Sequence, residues 1–216
     1  MRKFSQRFVK MTRKKNYEKF RKQKGFGLPE LLIIIFVISI IGVLALPRII
    51  SSRRLSQFAE MQKQIVVSLN EARQEAVTQG TPLTFRYDNL NKIIVIYNGS
   101  YGALGDARNR VIDFSSFGLE KTEIVYGRAY GTSETPLTDT SNLTNLTENS
   151  IEINFNKDGS VLDESNAPRN NALFFYHKKY PKDTAFAVSV LGDKGQVKAW
   201  TYSKNIKDYV KKNNEL

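Results

Sequence analysis

A cluster of positive charge ends at one glycine, and a lone carboxylate stands five residues further on, at the head of a long apolar run. In Lys24-Gly25-Phe26-Gly27-Leu28-Pro29-Glu30-Leu31 the basic stretch stops at Gly25. From Leu31 to Leu46 no side chain ionises, Ser39 is the one polar side chain and Gly42 leaves a gap. Counted from Phe26 to Leu46 the run is 21 residues, about 31 Å of helix at 1.5 Å per residue. That length matches a bilayer core of about 30 Å. Pro29 suits the first helical turn, where no intrahelical N–H is lost. Pro47 follows the run and is expected to kink or locally melt the helix. A charge in such a segment costs about 2.5–3.5 kcal/mol on insertion scales, so Glu30 needs compensation.

A plain N-terminal signal anchor explains the basic flank and the apolar length, but neither Glu30 nor the abrupt end of the charge cluster at Gly25. A secretory signal peptide fits worse, because its apolar region is shorter and ends in small residues, unlike Leu44-Ala45-Leu46-Pro47. The formal charge of +12 is also placed unevenly. Residues 1–25 hold 11 Lys and Arg against Glu18, a net +10, which leaves +2 for residues 26–216. A basic flank before an apolar span orients it with the N-terminus in the cytoplasm and the C-terminal domain outside. The run Arg13-Lys14-Lys15 could also contact nucleic acid, but topology accounts for it better.

Residues 24–31 resemble the class III signal of type IV prepilins and type II secretion pseudopilins: a basic residue, Gly, Phe, Thr, Leu, any residue, Glu, Leu. The resemblance implies cleavage after Gly25 by a membrane-embedded aspartyl prepilin peptidase and N-methylation of the new N-terminus, Phe26. It also implies that Glu30 pairs with such an amine on a neighbouring subunit during assembly, and that Pro47 is the family's helix-breaking proline. The chain departs from the pattern with Gly27 where threonine is usual, and with Pro29. A leader of 25 residues is long for this family, and a start at Met11 would shorten it to 15.

Beyond Pro47 the helical period persists. Phe58, Met61, Ile65, Leu69, Ala72 and Ala76 recur at steps of three and four, the mark of one face of an amphipathic helix. Gly80 and Pro82 then read as a helix stop. The remainder predicts strands: 83–87 and 92–97 joined by a turn at 88–91, weaker strands at 111–114 and 123–126, then 151–155, 172–176, 185–191 and 196–202. Asn156-Lys157-Asp158-Gly159 and Gly192-Asp193-Lys194-Gly195 read as turns. The Ser/Thr/Asn-rich stretch between Gly131 and Ser150 reads as a long loop. Its Asn-Leu-Thr repeats at Asn142 and Asn145, like Asn98-Gly-Ser100, match short glycosylation acceptors that arise easily by chance. Without cysteine, the domain must stand on its own core.

These readings give an α+β chain with a type IV pilin-like fold, in which a long N-terminal helix, part transmembrane and part amphipathic, packs on an antiparallel β-sheet domain. The expected boundaries are a prepilin leader at 1–25, a hydrophobic transmembrane or filament-core helix at 26–47 and an amphipathic helix at 48–80. An antiparallel β domain follows at 81–202, with its loop at 131–150, and a polar tail at 203–216 that frays or forms a short surface helix. Leu69-Asn-Glu-Ala-Arg73-Gln-Glu-Ala76, Ile153-Asn-Phe155-Asn-Lys-Asp158-Gly159-Ser160 and the turn at Gly195 are similar to the H-type group of minor pseudopilins and minor pilins.

One branch of that group binds DNA through a Gly-Arg-x-Arg type motif near the C-terminus. The matching positions here are Gly195-Gln196-Val197-Lys198, which lack both arginines. Lys194, Lys198, Lys204 and Lys207 form a candidate weak phosphate patch, against which a solvated turn and tail is the preferred reading. His177 is the sole histidine, and no triad can be argued from it. Asp158, Asp163 and Glu164 are hard ligands at a spacing that matches no known calcium loop, and Asp158-Gly159 is explained by its turn. No phosphate-binding loop or dinucleotide fingerprint occurs.

The expectation is therefore a minor pilin or pseudopilin subunit and not an enzyme, with no catalytic residues, metal or cofactor. The assembly ATPase would be a separate protein. The implied partners are prepilin peptidase, other pilin or pseudopilin subunits, an inner-membrane assembly platform and membrane lipid; DNA is possible but not favoured. The implied location is the bacterial inner membrane as a single-pass protein, and then a filament. The rival readings are a DNA-binding minor pilin for transformation and a bitopic anchored binding protein or enzyme that never polymerises.

Overall fold

A computed structural model of the chain describes residues 27–99, 108–132, 134–163 and 165–212. The expected leader at 1–25, with Gly25, and the expected new terminus Phe26 lie outside the described residues. The chain divides into two units between Leu44 and Ala45. Helix α1, Leu28–Gln79, is assigned without interruption. Pro47 therefore lies within helix rather than in a melted turn, at the cost of one backbone hydrogen bond.

Among the described residues of the first unit, the large apolar side chains of α1 are exposed. Leu32, Ile33, Phe36 and Ile38 are each more than 60% exposed. Among the described residues α1 is the one helix long and apolar enough to cross a membrane, with a mean hydropathy of 2.7 over its best 18-residue window, none of which is buried. Ser39 satisfies its hydroxyl within the helix by donating to the Ile35 carbonyl at 2.7 Å, which removes the cost of a bare polar group in apolar surroundings.

In the second unit the helical stripe does what its spacing predicts. Phe58, Met61, Ile65, Leu69, Ala72 and Ala76 are all buried, and all belong to one core together with residues from two antiparallel sheets. The helix stops at Gly80, whose φ of +65° is the left-handed cap that glycine adopts without a Cβ clash.

Hairpin β1, Leu83–Asp88, and β2, Ile93–Asn98, pair in register from Leu83↔Asn98 to Asp88↔Ile93. The Asp88 carboxylate closes the turn by accepting from the Leu90 and Asn91 amides at 2.8 and 3.0 Å. The first sheet runs β3, Arg108–Asp113, then β2, β1, β5, Ser150–Phe155, and β6, Val161–Leu162. The second sheet contains β4, Ile124–Tyr126, β7, Asn171–His177, β8, Phe186–Val190, β9, Val197–Ser203, and β10, Asp208–Lys211, in the order β10-β9-β8-β7-β4. A single turn of helix, α2, Pro181–Thr184, links β7 to β8.

The second sheet is covered on both faces. Leu173, Phe175, Phe186 and Val188 face α1. Ala172, Phe174, Ala187, Trp200 and Tyr202 alternate onto the opposite face and form a second apolar cluster. The long polar loop closes that far face. Leu137 is 4% exposed, and the Thr144 amide donates to the Ala172 carbonyl at 2.9 Å. The Ser189 hydroxyl donates to the Asp139 carboxylate at 2.6 Å, and the Trp200 indole donates to Ser189 at 2.8 Å. The expected loop is therefore a built cover, held by a few buried anchors.

The polar tail expected over 203–216 needs correction. Residues 208–211 form β10, paired with β9 from Asp208↔Ser203 to Lys211↔Trp200. The cause is one aromatic residue: Tyr209 is 3% exposed and meets the Phe174 ring edge-on at 5.0 Å. A four-residue strand around one buried side chain has too little alternation to stand out from a charged tail.

Truncating the stripe tests this architecture. Leu69→Ala in the full chain should cost about 2–5 kcal/mol of unfolding free energy, while Val77→Ala, at an exposed position of the same helix, should stay within about 0.5 kcal/mol. Denaturant titration in micelles reads both.

Candidate functional site

The first described residues are the start of α1. Leu28, Pro29 and Glu30 are the first three helical positions, with Gly27 as the residue before them. The first turns of a helix leave amide donors unsatisfied, and here one is met by a side chain. The Gly27 amide donates to Glu30 Oε2 at 2.9 Å, and the Leu31 amide donates to the Gly27 carbonyl at 3.2 Å. This is the glutamate half of a capping box, with an acid at the third helical position reaching back to the residue before the helix. The carboxylate also sits at the positive end of the helix dipole.

The sequence asks only for some compensation of Glu30, and the amine from another chain comes from the resemblance; this local role is in neither. The signal was present, because an acid two positions after the first helical residue, next to a proline, marks a helix start. A capped carboxylate keeps free lone pairs, and Glu30 is exposed. It can therefore accept from a second donor, such as an ammonium group, without giving up Gly27.

The four lysines of the candidate phosphate patch are not brought together. Lys194 lies in the β8–β9 turn, and Lys204 and Lys207 lie beyond the other end of β9, about 23 Å away at 3.3 Å per residue. Lys198 points onto the far face of the second sheet, where its ammonium is 3.8 Å from the nearly buried Asp139 carboxylate. Lys204 is paired with Asp183. Two of the four charges are thus compensated inside the chain, and the four do not form one cluster. The physical reason is strand geometry: residues close in sequence on an extended strand are far apart in space and alternate between faces.

His177 is fully buried at the end of β7. Its Nδ1 accepts from the Lys179 amide at 3.0 Å, and its Nε2 faces Glu123 at 3.5 Å. Glu123 in turn pairs with Arg54 of α1 at 3.1 Å. Burial holds the imidazole below its ordinary value of 6.5, with Glu123 opposing that shift. His177 is thus a packing residue that ties the sheet edge to the helix. The carboxylates of Asp158 and Asp163 are spent on their own turns, accepting from Ser160 and from Ser165 and Ala167. Among the described residues no group of three or more His, Asp or Glu is placed to hold a metal.

Compared with known proteins, residues 20–46 match the family model described as the prokaryotic N-terminal methylation motif. No curated protein matches the chain significantly. Among solved structures the chain is similar to the type IV minor pilin FimU of Pseudomonas aeruginosa in two crystal forms. One match has 16% identity, covers 67% of this chain and 86% of that one and has a TM-score of 0.43. The other has 14% identity, covers 65% and 90% and has a TM-score of 0.42.

The depressed His177 sets a pH response. Below about pH 6.5 the unfolded chain takes up a proton that the folded one resists, so stability is present above that pH and falls as the pH drops towards the folded value. Thermal midpoints measured from pH 7.5 to 5 should decline in the parent chain, and His177→Gln should flatten that part of the decline.

Proposed function

We propose that this chain is a minor pilin or pseudopilin: a structural subunit, not an enzyme, that is matured at its N-terminus and drawn from a membrane into a filament through its N-terminal helix. One observation carries the reading. A segment matching the N-terminal methylation motif leads straight into an apolar helix whose first turn presents Glu30. In this reading prepilin peptidase cuts after Gly25 and the new amine on Phe26 is methylated. Glu30 of one subunit then accepts that amine from a neighbour where the low dielectric makes the pairing worth most.

The apolar residues of 31–46 supply the contacts between helices, with Pro47 as the bend. Little of that surface leaves water on assembly, since it passes from lipid to protein, so the net gain per subunit is modest. That suits a subunit that can be extracted and returned. The N-terminus faces the cytoplasm, the folded domain lies outside, and the remaining partners are other pilin subunits and an inner-membrane assembly platform. Lipid surrounds the helix before assembly.

The local cap makes a sharper test possible than alanine alone. Glu30→Gln keeps an oxygen that can accept from the Gly27 amide but removes the charge. If the charge serves assembly, Gln and Ala should both be processed and both fail to enter filaments. If the cap alone matters, Gln should behave as the parent. Mass spectrometry of the mature chain should find methylated Phe26, and an unprocessed Met1 or Met11 terminus would sink the assignment in favour of a plain anchored protein.

A further inference from the structure

One open groove in the folded unit takes no part in the maturation or assembly just described. It measures about 900 Å³ and lies among Arg128, Tyr130, Glu134, Asn142 and Tyr176, with Ala129, Gly131, Thr132 and Leu143 completing its walls. That volume is at the upper end of the range of about 300–1,000 Å³ for small-ligand sites. It sits where the cover of the second sheet's far face parts above β7.

The rim is held in shape. Ala129 is buried to 3% exposure as an anchor, and the Thr132 amide and hydroxyl both donate to its carbonyl, at 3.1 and 2.7 Å. Gly131 closes the turn at φ +71°, where a side chain would also crowd the Lys182 ammonium at 3.2 Å. Between these fixed points Tyr130 is 91% exposed. A large aromatic ring held out into water on a tight turn gains nothing for the fold. The Arg128 guanidinium is also held, with its carbon 4.3 Å from the Phe174 ring centre and 5.9 Å from that of Tyr209, a stack that fixes the plane of its donors.

The chemistry of the lining selects the occupant. Arg128 and Glu134 share the rim, with the Lys182 ammonium beside it at Gly131, and two cations against one acid make a poor seat for a polyanion such as DNA, whose binding needs a run of uncompensated cations. Ala129 and Leu143 are the aliphatic side chains of the lining, a small anchor for a greasy peptide. What remains is one exposed ring, Tyr130, a second, half-buried tyrosine in the lining, Tyr176, and three planar polar groups, Arg128, Glu134 and Asn142. Planar donors and acceptors beside aromatic faces suit a ring that carries hydroxyls on its edge and C–H bonds on its faces. We propose that this groove binds the pyranose rings of a neutral glycan, with Tyr130 as the stacking platform and Arg128, Glu134 and Asn142 reading the hydroxyls.

The test uses the full chain in a detergent without a sugar headgroup. Maltotriose, cellotriose and triacetylchitotriose are titrated by calorimetry and by saturation-transfer NMR. At least one should bind saturably. Tyr130→Ala should weaken it roughly tenfold or more, while Tyr130→Phe, which keeps the ring face, should stay within about threefold. Because Tyr130 is 91% exposed, neither variant should move the thermal midpoint. The proposal is overturned if none of the three sugars saturates, if Tyr130→Ala binds as well as the parent, or if a short DNA duplex binds more tightly than the sugars through the same residues.

Discussion

Both sheets of the folded unit rest on a single stripe of α1. Phe58, Met61, Ile65, Leu69, Ala72 and Ala76 lie in one core with Phe85, Ile153, Phe175 and Val188, so the two sheets share one apolar surface. Its shape matters as much as its hydrophobicity. The stripe begins with Phe58, which meets Phe186 edge-on at 6.3 Å, and ends in two alanines. The turn at Gly159 comes up against the last turns of the helix, where a Cβ on it would stand 3.0 Å from Val77 and 3.2 Å from Arg73. At Gly195 the fit is closer still, since a Cβ there would stand 1.9 Å from the Gly159 carbonyl. Glycine is therefore required in that second turn by backbone contact as well as by its φ of +57°. Interiors packed at this density transmit any change of volume to their neighbours, so a larger residue at Ala72 or Ala76 would be felt in the core they share with both sheets.

Polar groups complete what the stripe begins. Gln62 lies beside it and donates to the Trp200 carbonyl at 2.8 Å, which fixes the helix against the second sheet in a way apolar contact cannot. Arg54 reaches Glu123 and, through it, His177. These contacts lie about two turns apart on α1 and set how the helix is rotated about its axis against the sheets. A greasy stripe alone would tolerate slippage, whereas a buried amide that loses its partner costs about 1–3 kcal/mol.

What could be read in the sequence follows from the range of each signal. The helical stripe and the strands 83–87, 92–97, 151–155, 172–176, 185–191 and 196–202 depend on side-chain period and nearby turn residues, and the structure places them within a residue or two. Where the reading failed, the decisive partner was far away in the chain. β10 depends on Tyr209 meeting Phe174, and the fate of Lys198 depends on Asp139. The cover over 131–150 looked unstructured because its anchors, Leu137, Asp139 and Thr144, are few, and their partners lie on β7 and β8. The groove at Tyr130 was invisible for the same reason. In the sequence Tyr130 is one aromatic residue between a buried alanine and a glycine, and only the folded turn shows that its ring is left outside.

Glu30 is a different case, since its first partner is local. Three residues separate it from the Gly27 amide, and the capping contact needs only helix geometry. The carboxylate is thereby oriented along the helix start before any second chain arrives. A charge already positioned loses less side-chain freedom on meeting an ammonium group than one on a free rotamer, and each immobilised flexible side chain would otherwise cost about 0.5–1.5 kcal/mol. The cap and the proposed counter-ion role therefore reinforce each other: the same hydrogen bond that starts the helix aims the acid that assembly would use.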